Sequence, residues 1–163
     1  MRDSSNAIRV RDAKERDLPQ VVRLFRKVLL GIPYYNTLAK SSERRKWGLS
    51  TLRSKLRYDK HSVMVAEDSS GIIGFVFNRF DDYLIWIEWF GVDQDARREG
   101  VGSALIQALV RIAPKRKAHK IWCDTRSTNE PAKATFLKNG FRDLVELKNH
   151  WYGEDYILWE RLL

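Results

Sequence analysis

Two arginines and two glycines in the middle of the chain have the types and spacing of an anion-binding turn. Arg97 and Arg98 come just before Gly100 and Gly102, between an apolar stretch and an amphipathic one. Glycine lets the backbone approach a ligand closely, and the first turn of a helix presents N–H groups that have no partner inside the helix. The helix dipole and the guanidinium groups add positive charge. The pattern indicates a candidate cradle for a diphosphate.

Other interpretations of this turn can be compared with known patterns. A dinucleotide-binding fingerprint needs a third glycine three residues after the second, and Leu105 stands there instead. A P-loop needs Gly-Lys-Ser or Gly-Lys-Thr, which the turn lacks. The remaining alternatives are an anion site and a plain strand-to-helix turn whose glycines permit tight packing. The G-x-G spacing alone does not decide between them.

Glu88 is the best candidate for a general base. It stands in the apolar stretch before the turn, beside Ile87 and Trp89 and two residues from Trp86 and Phe90. A charged side chain rarely occurs in such a strand without a reason, and an apolar setting makes a carboxylate more ready to take a proton. The alternative is an acid in an ion pair or at an exposed edge of the sheet.

The turn and the strand before it resemble those of the GNAT superfamily of N-acetyltransferases. The pattern Arg97-x-x-Gly100-x-Gly102 is similar to the acetyl-CoA pyrophosphate loop of that family. Glu88 lies four residues before Val92, as an acid does in the family's fourth strand. The resemblance implies that acetyl-CoA is the acetyl donor and that no metal takes part.

Two further motifs extend the resemblance towards the end of the chain. Asn129-x-x-Ala132 and the run Asn-Gly-Phe at residues 139–141 match the family's Asn-x-x-Ala and closing Gly-Phe, in the expected order. The similarity covers about residues 8–162, nearly the whole chain. The chain is therefore identified as a member of this superfamily.

The resemblance implies a role for each residue of the site. Glu88 would deprotonate the acceptor amine, often through a water molecule, and the main-chain N–H of Val92 would polarise the thioester carbonyl. Asn129 would bond the pantetheine arm, although a capping bond to the following helix explains it nearly as well. The pyrophosphate would be held by residues of the turn, namely Arg97, Arg98, Gly100, Val101, Gly102 and Ser103.

One position departs from the family pattern. Seven residues after Asn129, where many relatives carry a tyrosine that protonates the coenzyme thiolate, this chain has Phe136. Either another group donates the proton, or the thiolate leaves unassisted as an anion that is stable near neutral pH. Tyr152 and Tyr156 are the nearest substitutes in the predicted topology, and packing explains Tyr156 better. We therefore assign Tyr152 to the catalytic group and Phe136 to the coenzyme-binding residues.

Composition and element order bound the fold. The 163 residues are 44% hydrophobic and predict one domain over residues 1–163 with a mixed α/β fold. The predicted order is β-α-α-β-β-β-α-β-α-β-β. The resemblance implies a mostly antiparallel seven-stranded sheet with strands four and five splayed, flanked by about four helices. Asp17 is expected to cap the first helix and Ser41 with Ser42 to start the second.

Several classes of protein are disfavoured by the sequence. Cys123 is the single cysteine, so no internal disulfide forms, and the three histidines lack zinc-ligand spacing. The start of the chain is polar and no apolar run approaches 18 residues, which argues against a signal peptide and a membrane span. A cytoplasmic location follows as the default.

The formal net charge of +9 is unevenly distributed. Residues 40–60 hold eight basic and two acidic residues, a surplus of six. A solvated helix face explains this segment somewhat better than a functional patch. In GNAT folds the second helix borders the acceptor groove, so a basic face turned towards it would repel polyamines and favour a neutral or acidic acceptor.

The acceptor is the least determined part of the prediction. Residues 147–156 have a partial likeness to the aromatic turn of protein N-terminal acetyltransferases of the ribosomal-protein-alanine type, which favours a peptide or protein N-terminus. A small-molecule amine acetyltransferase and a non-catalytic acetyl-CoA sensor are the alternatives. An RNA- or ribosome-associated basic module is a further class, but the chain has no nucleic-acid motif. The sequence leaves the oligomeric state open, and a homodimer is compatible with it.

Overall fold

The computed structural model describes residues 7–163, which contain seven strands and five α-helices. The strands are β1 (Arg9–Asp12), β2 (Val63–Asp68), β3 (Gly71–Asp81), β4 (Leu84–Val92), β5 (Lys120–Arg126), β6 (Arg142–Leu147) and β7 (Tyr156–Leu162). The helices are α1 (Leu18–Leu30), α2 (Thr37–Lys46), α3 (Leu49–Tyr58), α4 (Val101–Ile112) and α5 (Glu130–Lys138).

The seven strands form one sheet in the order β1-β2-β3-β4-β5-β7-β6. The pairs β1–β2, β2–β3, β5–β7 and β6–β7 are antiparallel, and β4 pairs with β5 in parallel. The parallel register covers three pairs, from Leu84 opposite Lys120 to Trp86 opposite Trp122. Strand β4 continues to Val92. This short pairing at the start of both strands agrees with the predicted splay, and the predicted mixed α/β fold is confirmed.

The chain divides into two compact units. The amino-terminal unit comprises the described residues up to Phe77 together with Trp89–Leu105. The carboxy-terminal unit comprises Asn78–Glu88 and Ile106–Leu163. Each is described below by itself. A single domain over residues 1–163 stays a prediction.

Aromatic rings fill the core of the amino-terminal unit. Phe25 of α1 meets Phe75 and Trp89 edge-on, with ring centroids 6.0 and 5.0 Å apart. Phe75 stacks on Phe77 at 4.8 Å. Helix α1 reaches this cluster because its apolar residues recur at three- and four-residue intervals and so share one face. Seven of its residues are buried: Leu18, Val21, Val22, Leu24, Phe25, Val28 and Leu29.

The core of the carboxy-terminal unit is built around Trp159 on β7. Its indole Nε1 donates a buried hydrogen bond of 2.8 Å to Thr125 Oγ1 on β5. Phe136 of α5 stacks on the same ring. Cys123 is also buried, and burial raises the pKa of its thiol well above the ordinary value. The single thiol is therefore enclosed in the core of this unit.

The prediction for the second helix was wrong in its start and its length. The segment forms two helices. The first of them, α2, begins at Thr37, and Asn36 caps it, because its Oδ1 accepts a 2.8 Å hydrogen bond from the Ala39 N–H. Ser41 lies inside this helix and donates to the Leu38 carbonyl instead of capping. Gly48 then provides the extended N-cap of α3. The described residues thus hold five helices where about four were expected.

Asp17 does not cap α1 through its side chain, contrary to the prediction. Its carboxylate instead accepts the Lys14 N–H at 2.7 Å and the Arg11 guanidinium at 2.6 Å. Arg11 also donates to Glu67, so it joins two acids and its pKa is raised. Hydrogen bonding to Arg11 lowers the pKa of Asp17. An ion pair with Arg11, six residues earlier, and a bond from the Lys14 N–H therefore take the place of the expected cap.

Candidate active site

The predicted anion-binding turn lies in the amino-terminal unit, between β4 and α4. After Val92 the chain makes one 3-10 turn at Gln94–Ala96, and α4 begins at Val101. Gly100 has a φ of +84°, and a Cβ built there would meet no atom within 4 Å. Glycine is therefore needed for its left-handed backbone and not for space, because an L side chain is strained at this φ.

The turn presents donors that suit a diphosphate. The first hydrogen bond of α4 runs from the Ala104 N–H to the Gly100 carbonyl at 2.9 Å. The N–H groups of Val101 and Gly102 precede this bond, so no helical carbonyl accepts from them. Arg97 and Arg98 are exposed beside them. Main-chain donors, a helix dipole and two guanidinium groups converge on one short segment.

Two glycines that sequence reasoning missed allow close packing near this turn, namely Gly74 against α4 and Gly91 against Phe75. A Cβ on Gly74 would lie 2.8 Å from Val101 Cγ1 and 3.2 Å from Leu105 Cδ1. A Cβ on Gly91 would lie 2.5 Å from the ring of Phe75. Neither position has room for a larger residue. Isolated glycines inside apolar strands are the signal for such close approach.

An ion pair anchors the turn to α1. The Lys27 Nζ lies 2.9 Å from Asp93 Oδ1 and 3.8 Å from Asp95 Oδ2. The Asp93 N–H donates to the Ile73 carbonyl on β3 at 2.8 Å. Asp93 is therefore fixed through both its backbone and its side chain. Lys27 and Asp93 are 66 residues apart in the chain, so no local sequence pattern could have revealed their ion pair.

Glu88 lies on the half-exposed side of β4. In this strand Ile85 and Ile87 are buried, whereas Trp86 and Glu88 are half-buried. Because side chains alternate along a strand, Glu88 and Val92 belong to the same side. A half-buried carboxylate on a strand that ends at the predicted carbonyl donor is suitably placed for a base. Its catalytic role stays a prediction.

Asn129 caps α5 in the carboxy-terminal unit. Its Oδ1 accepts a hydrogen bond from the Ala132 N–H at 3.2 Å, which confirms the capping alternative. This bond uses the carbonyl oxygen of the side chain, so a ligand would meet the amide NH₂. Capping and pantetheine binding are compatible, and the second stays a prediction.

Phe136 lies in the apolar core of the carboxy-terminal unit. The side chain is 2% exposed and its ring lies 4.9 Å from Phe141 and 6.1 Å from Trp159, centroid to centroid. These contacts account for an apolar ring at this position, whereas a tyrosine hydroxyl would need a polar partner. Contact of Phe136 with the coenzyme stays a prediction.

Tyr152 lies in the turn between β6 and β7. The turn spans Trp151–Gly153, and Tyr152 is half-buried with a left-handed φ of +57°. Trp151 Nε1 donates to Asp124 Oδ2 on β5 at 2.9 Å, which ties the turn to the sheet. The backbone of Tyr152 therefore belongs to a turn that is attached to β5 through Trp151. Its catalytic role stays a prediction.

Within residues 7–163, no three His, Cys, Asp or Glu side chains are grouped so that they could hold a metal ion. In the same part of the chain, every helix is too short or too polar to cross a membrane.

Comparison with known proteins identifies the family. A model of the acetyltransferase (GNAT) family matches residues 31–141. An N-alpha-acetyltransferase of Sulfurisphaera tokodaii is 25% identical over 92% of this chain and 90% of its own length. A [ribosomal protein bS18]-alanine N-acetyltransferase of Escherichia coli K12 is 32% identical over 39% of this chain and 43% of its own length.

Solved structures share the fold. Ard1 from Thermoplasma volcanium superposes with a TM-score of 0.77 at 22% identity, over 96% of this chain and 98% of that one. The PaiA N-acetyltransferase from Thermoplasma acidophilum, solved in complex with coenzyme A, gives 0.79 at 18% identity over 96% and 99%. With the family match covering more than half of its length, the chain belongs to the acetyltransferase (GNAT) family.

Proposed function

We propose that this protein transfers an acetyl group from acetyl-CoA directly to a primary amine, and that the acceptor is the N-terminus of a peptide or protein. The observation that carries the proposal is the turn before α4, where Gly100 adopts φ +84° and the helix starts at Val101 beside two exposed arginines. Such a segment suits the diphosphate of a coenzyme. Membership of the family supports acetyl transfer as the reaction.

The residues of the turn bind and orient the donor. Arg97 and Arg98 form charge-assisted bonds with the diphosphate, and the N–H groups of residues 100–103 donate to its oxygens. The Asn129 side chain donates its amide N–H to the pantetheine arm. Holding the donor orients its thioester, which removes an entropic cost from the reaction itself.

The chemical step needs a neutral amine and a polarised carbonyl. Glu88 takes one proton from the acceptor ammonium group, directly or through a water molecule, and so generates the neutral amine that attacks. The Val92 N–H donates to the carbonyl oxygen, where negative charge develops. The amine nitrogen forms the new C–N bond and loses its second proton to water, the C–S bond breaks, and the Tyr152 hydroxyl donates a proton to the leaving thiolate and regains one from water. No covalent enzyme intermediate forms.

An α-amino acceptor fits this chemistry. Its pKa is near 8, about two units below that of lysine, so a single carboxylate can generate the neutral amine near pH 7. The relatives named N-alpha-acetyltransferase and [ribosomal protein bS18]-alanine N-acetyltransferase support the same acceptor class. The net charge of +9 disfavours polycationic amines by long-range repulsion.

The experiment is a coenzyme A release assay with a panel of amines. A peptide with a free N-terminus is compared with the same peptide blocked at its N-terminus and carrying one lysine, and with a cationic polyamine. We expect release with the free peptide and little with the blocked one. Fastest turnover with the polyamine contradicts the acceptor assignment. Acetyl-CoA binding without release for any amine contradicts the enzyme assignment and supports the sensor alternative.

A further inference from the structure

A cavity in the amino-terminal unit is lined by none of the residues assigned to acetyl transfer. It lies between the turn after β1 and one face of α3, and its volume is about 240 Å³. Ligand pockets for drug-sized molecules usually measure about 300–1,000 Å³, so this one suits a smaller group. It is lined by Ala13, Glu15, Arg53, Leu56, Arg57 and Lys60.

Positive charge dominates this cavity. Arg53 is partly neutralised, because its Nε lies 2.7 Å from Glu15 Oε1. Arg57 and Lys60 are both exposed, and within residues 7–163 no carboxylate forms an ion pair with either. Three cations and one acid leave the lining with a surplus of two positive charges.

Two apolar residues of the cavity lining are packed into the unit. Ala13 is buried, and Leu56 packs against the aromatic core of the unit. Arg53 and Arg57 are four residues apart on α3, so they emerge from the same face of the helix. The guanidinium groups are thus presented by a fixed surface rather than by a loop, which lowers the cost of ordering them around a ligand.

The charge of the whole chain is concentrated in the same region. Residues 7–60 contain fifteen basic and five acidic residues, a surplus of ten, which exceeds the net charge of +9. The remaining residues are therefore nearly neutral. An anionic ligand would be drawn to this part of the molecule before any specific contact forms.

We propose that this cavity binds a phosphate group, carried by a small phosphorylated molecule or by an RNA strand. Arg57 and Lys60 hold the phosphate oxygens, and the guanidinium fork of Arg57 matches phosphate geometry. Arg53 contributes from the same helix face, and the two apolar residues contact the group attached to the phosphate. The site is separate in sequence from the residues 97–103 proposed for the coenzyme.

The test is an NMR titration of the isotope-labelled protein with three probes, namely inorganic phosphate, adenosine monophosphate and a short single-stranded RNA. Coenzyme A is kept at saturation so that its own turn is occupied. We expect amide shifts at residues 13–15 and 53–60. R57Q/K60Q should weaken binding about tenfold or more, since two charge-assisted contacts are lost. The control R44Q/R45Q removes the same charge from exposed residues of α2 and should change affinity by about twofold at most.

The probes distinguish the two sources of phosphate. Equal affinity for adenosine monophosphate and RNA indicates a small ligand, whereas a preference for RNA that steepens at low salt indicates a strand. The proposal is overturned if no probe shifts residues 53–60, or if R57Q/K60Q and R44Q/R45Q weaken binding equally. None of these outcomes depends on acetyl transfer, because no amine is present.

Discussion

Glu43 Oε2 accepts the indole N–H of Trp89 at 2.7 Å, and the same oxygen accepts that of Trp47 at 2.8 Å. One carboxylate of α2 therefore holds a tryptophan of its own helix and a tryptophan of β4. Trp89 follows Glu88 directly in the chain, and its ring packs between Phe25 and Tyr35. Helix α2, which carries four basic residues, is thus joined to β4 through its single acid.

Replacement of Glu43 by leucine should destabilise the fold. E43L leaves two largely enclosed indole N–H groups without their acceptor, at about 1–3 kcal/mol for each. We expect the free energy of unfolding in urea to fall by about 2–5 kcal/mol. E43Q is the matched control, because its amide oxygen still accepts and the loss should be about 1 kcal/mol. Wild-type stability of E43L would show that these bonds contribute nothing.

Replacement of Glu88 by glutamine should remove the base and leave donor binding intact. Turnover of E88Q is expected to fall by about 10²–10⁴-fold, with the KM for acetyl-CoA little changed. The acidic limb of the pH–rate profile should also disappear, since glutamine does not titrate. Steady-state kinetics over a range of pH provide the measurement. An unchanged pH–rate profile removes Glu88 from the mechanism.

Introducing the family tyrosine at position 136 should cost stability before it affects catalysis. The ring is 2% exposed between Phe141 and Trp159, so the hydroxyl of F136Y is buried among apolar groups at about 1–3 kcal/mol. The rate per folded molecule should stay the same or rise. Thermal unfolding and turnover are measured on one preparation. A large loss of rate with unchanged stability would show that the apolar ring itself is required.

Glu160 should make the fold sensitive to acid. Hydrogen bonds from Arg142, then Trp122 and Lys120, lower the pKa of Glu160 from 4.5 to about 2. The unfolded chain therefore binds a proton at Glu160 more readily than the folded protein does. The stability that Glu160 contributes is present above pH 4.5 and is lost as the pH falls towards 2. Between these pH values, the free energy of unfolding in urea should fall more steeply for the wild type than for E160Q. Parallel curves would contradict the assignment.

The parts of the site that could be predicted depend on local backbone rules. A left-handed residue before a helix calls for glycine, so Gly100 and the start of α4 could be read directly. The turn that joins β2 and β3 also follows local rules, because Asp68 accepts the Ser70 N–H within the turn itself. Asn129 could be assigned as a cap for the same reason.

The parts that could not be predicted depend on which of several possible partners each side chain meets in the folded chain. Asp17 suits an N-cap by its type, but Arg11 and the Lys14 N–H take its carboxylate. Glu43 lies 46 residues before Trp89, and nothing near it indicates that partner. Gly91 has meaning only once the ring of Phe75 lies against it. Tertiary contacts determine the role of each of these residues, because the local sequence is compatible with several roles.

The most direct measurement is calorimetric titration of acetyl-CoA into the wild type, G100A and G48A. Gly48 is the matched control, because a Cβ there also meets no atom within 4 Å but its φ is −97°. We predict that the wild type and G48A bind acetyl-CoA with the same affinity. G100A should bind about tenfold more weakly, because holding an L-residue in the left-handed backbone conformation costs about 1–2 kcal/mol. Absence of binding to the wild type at millimolar acetyl-CoA would contradict the account.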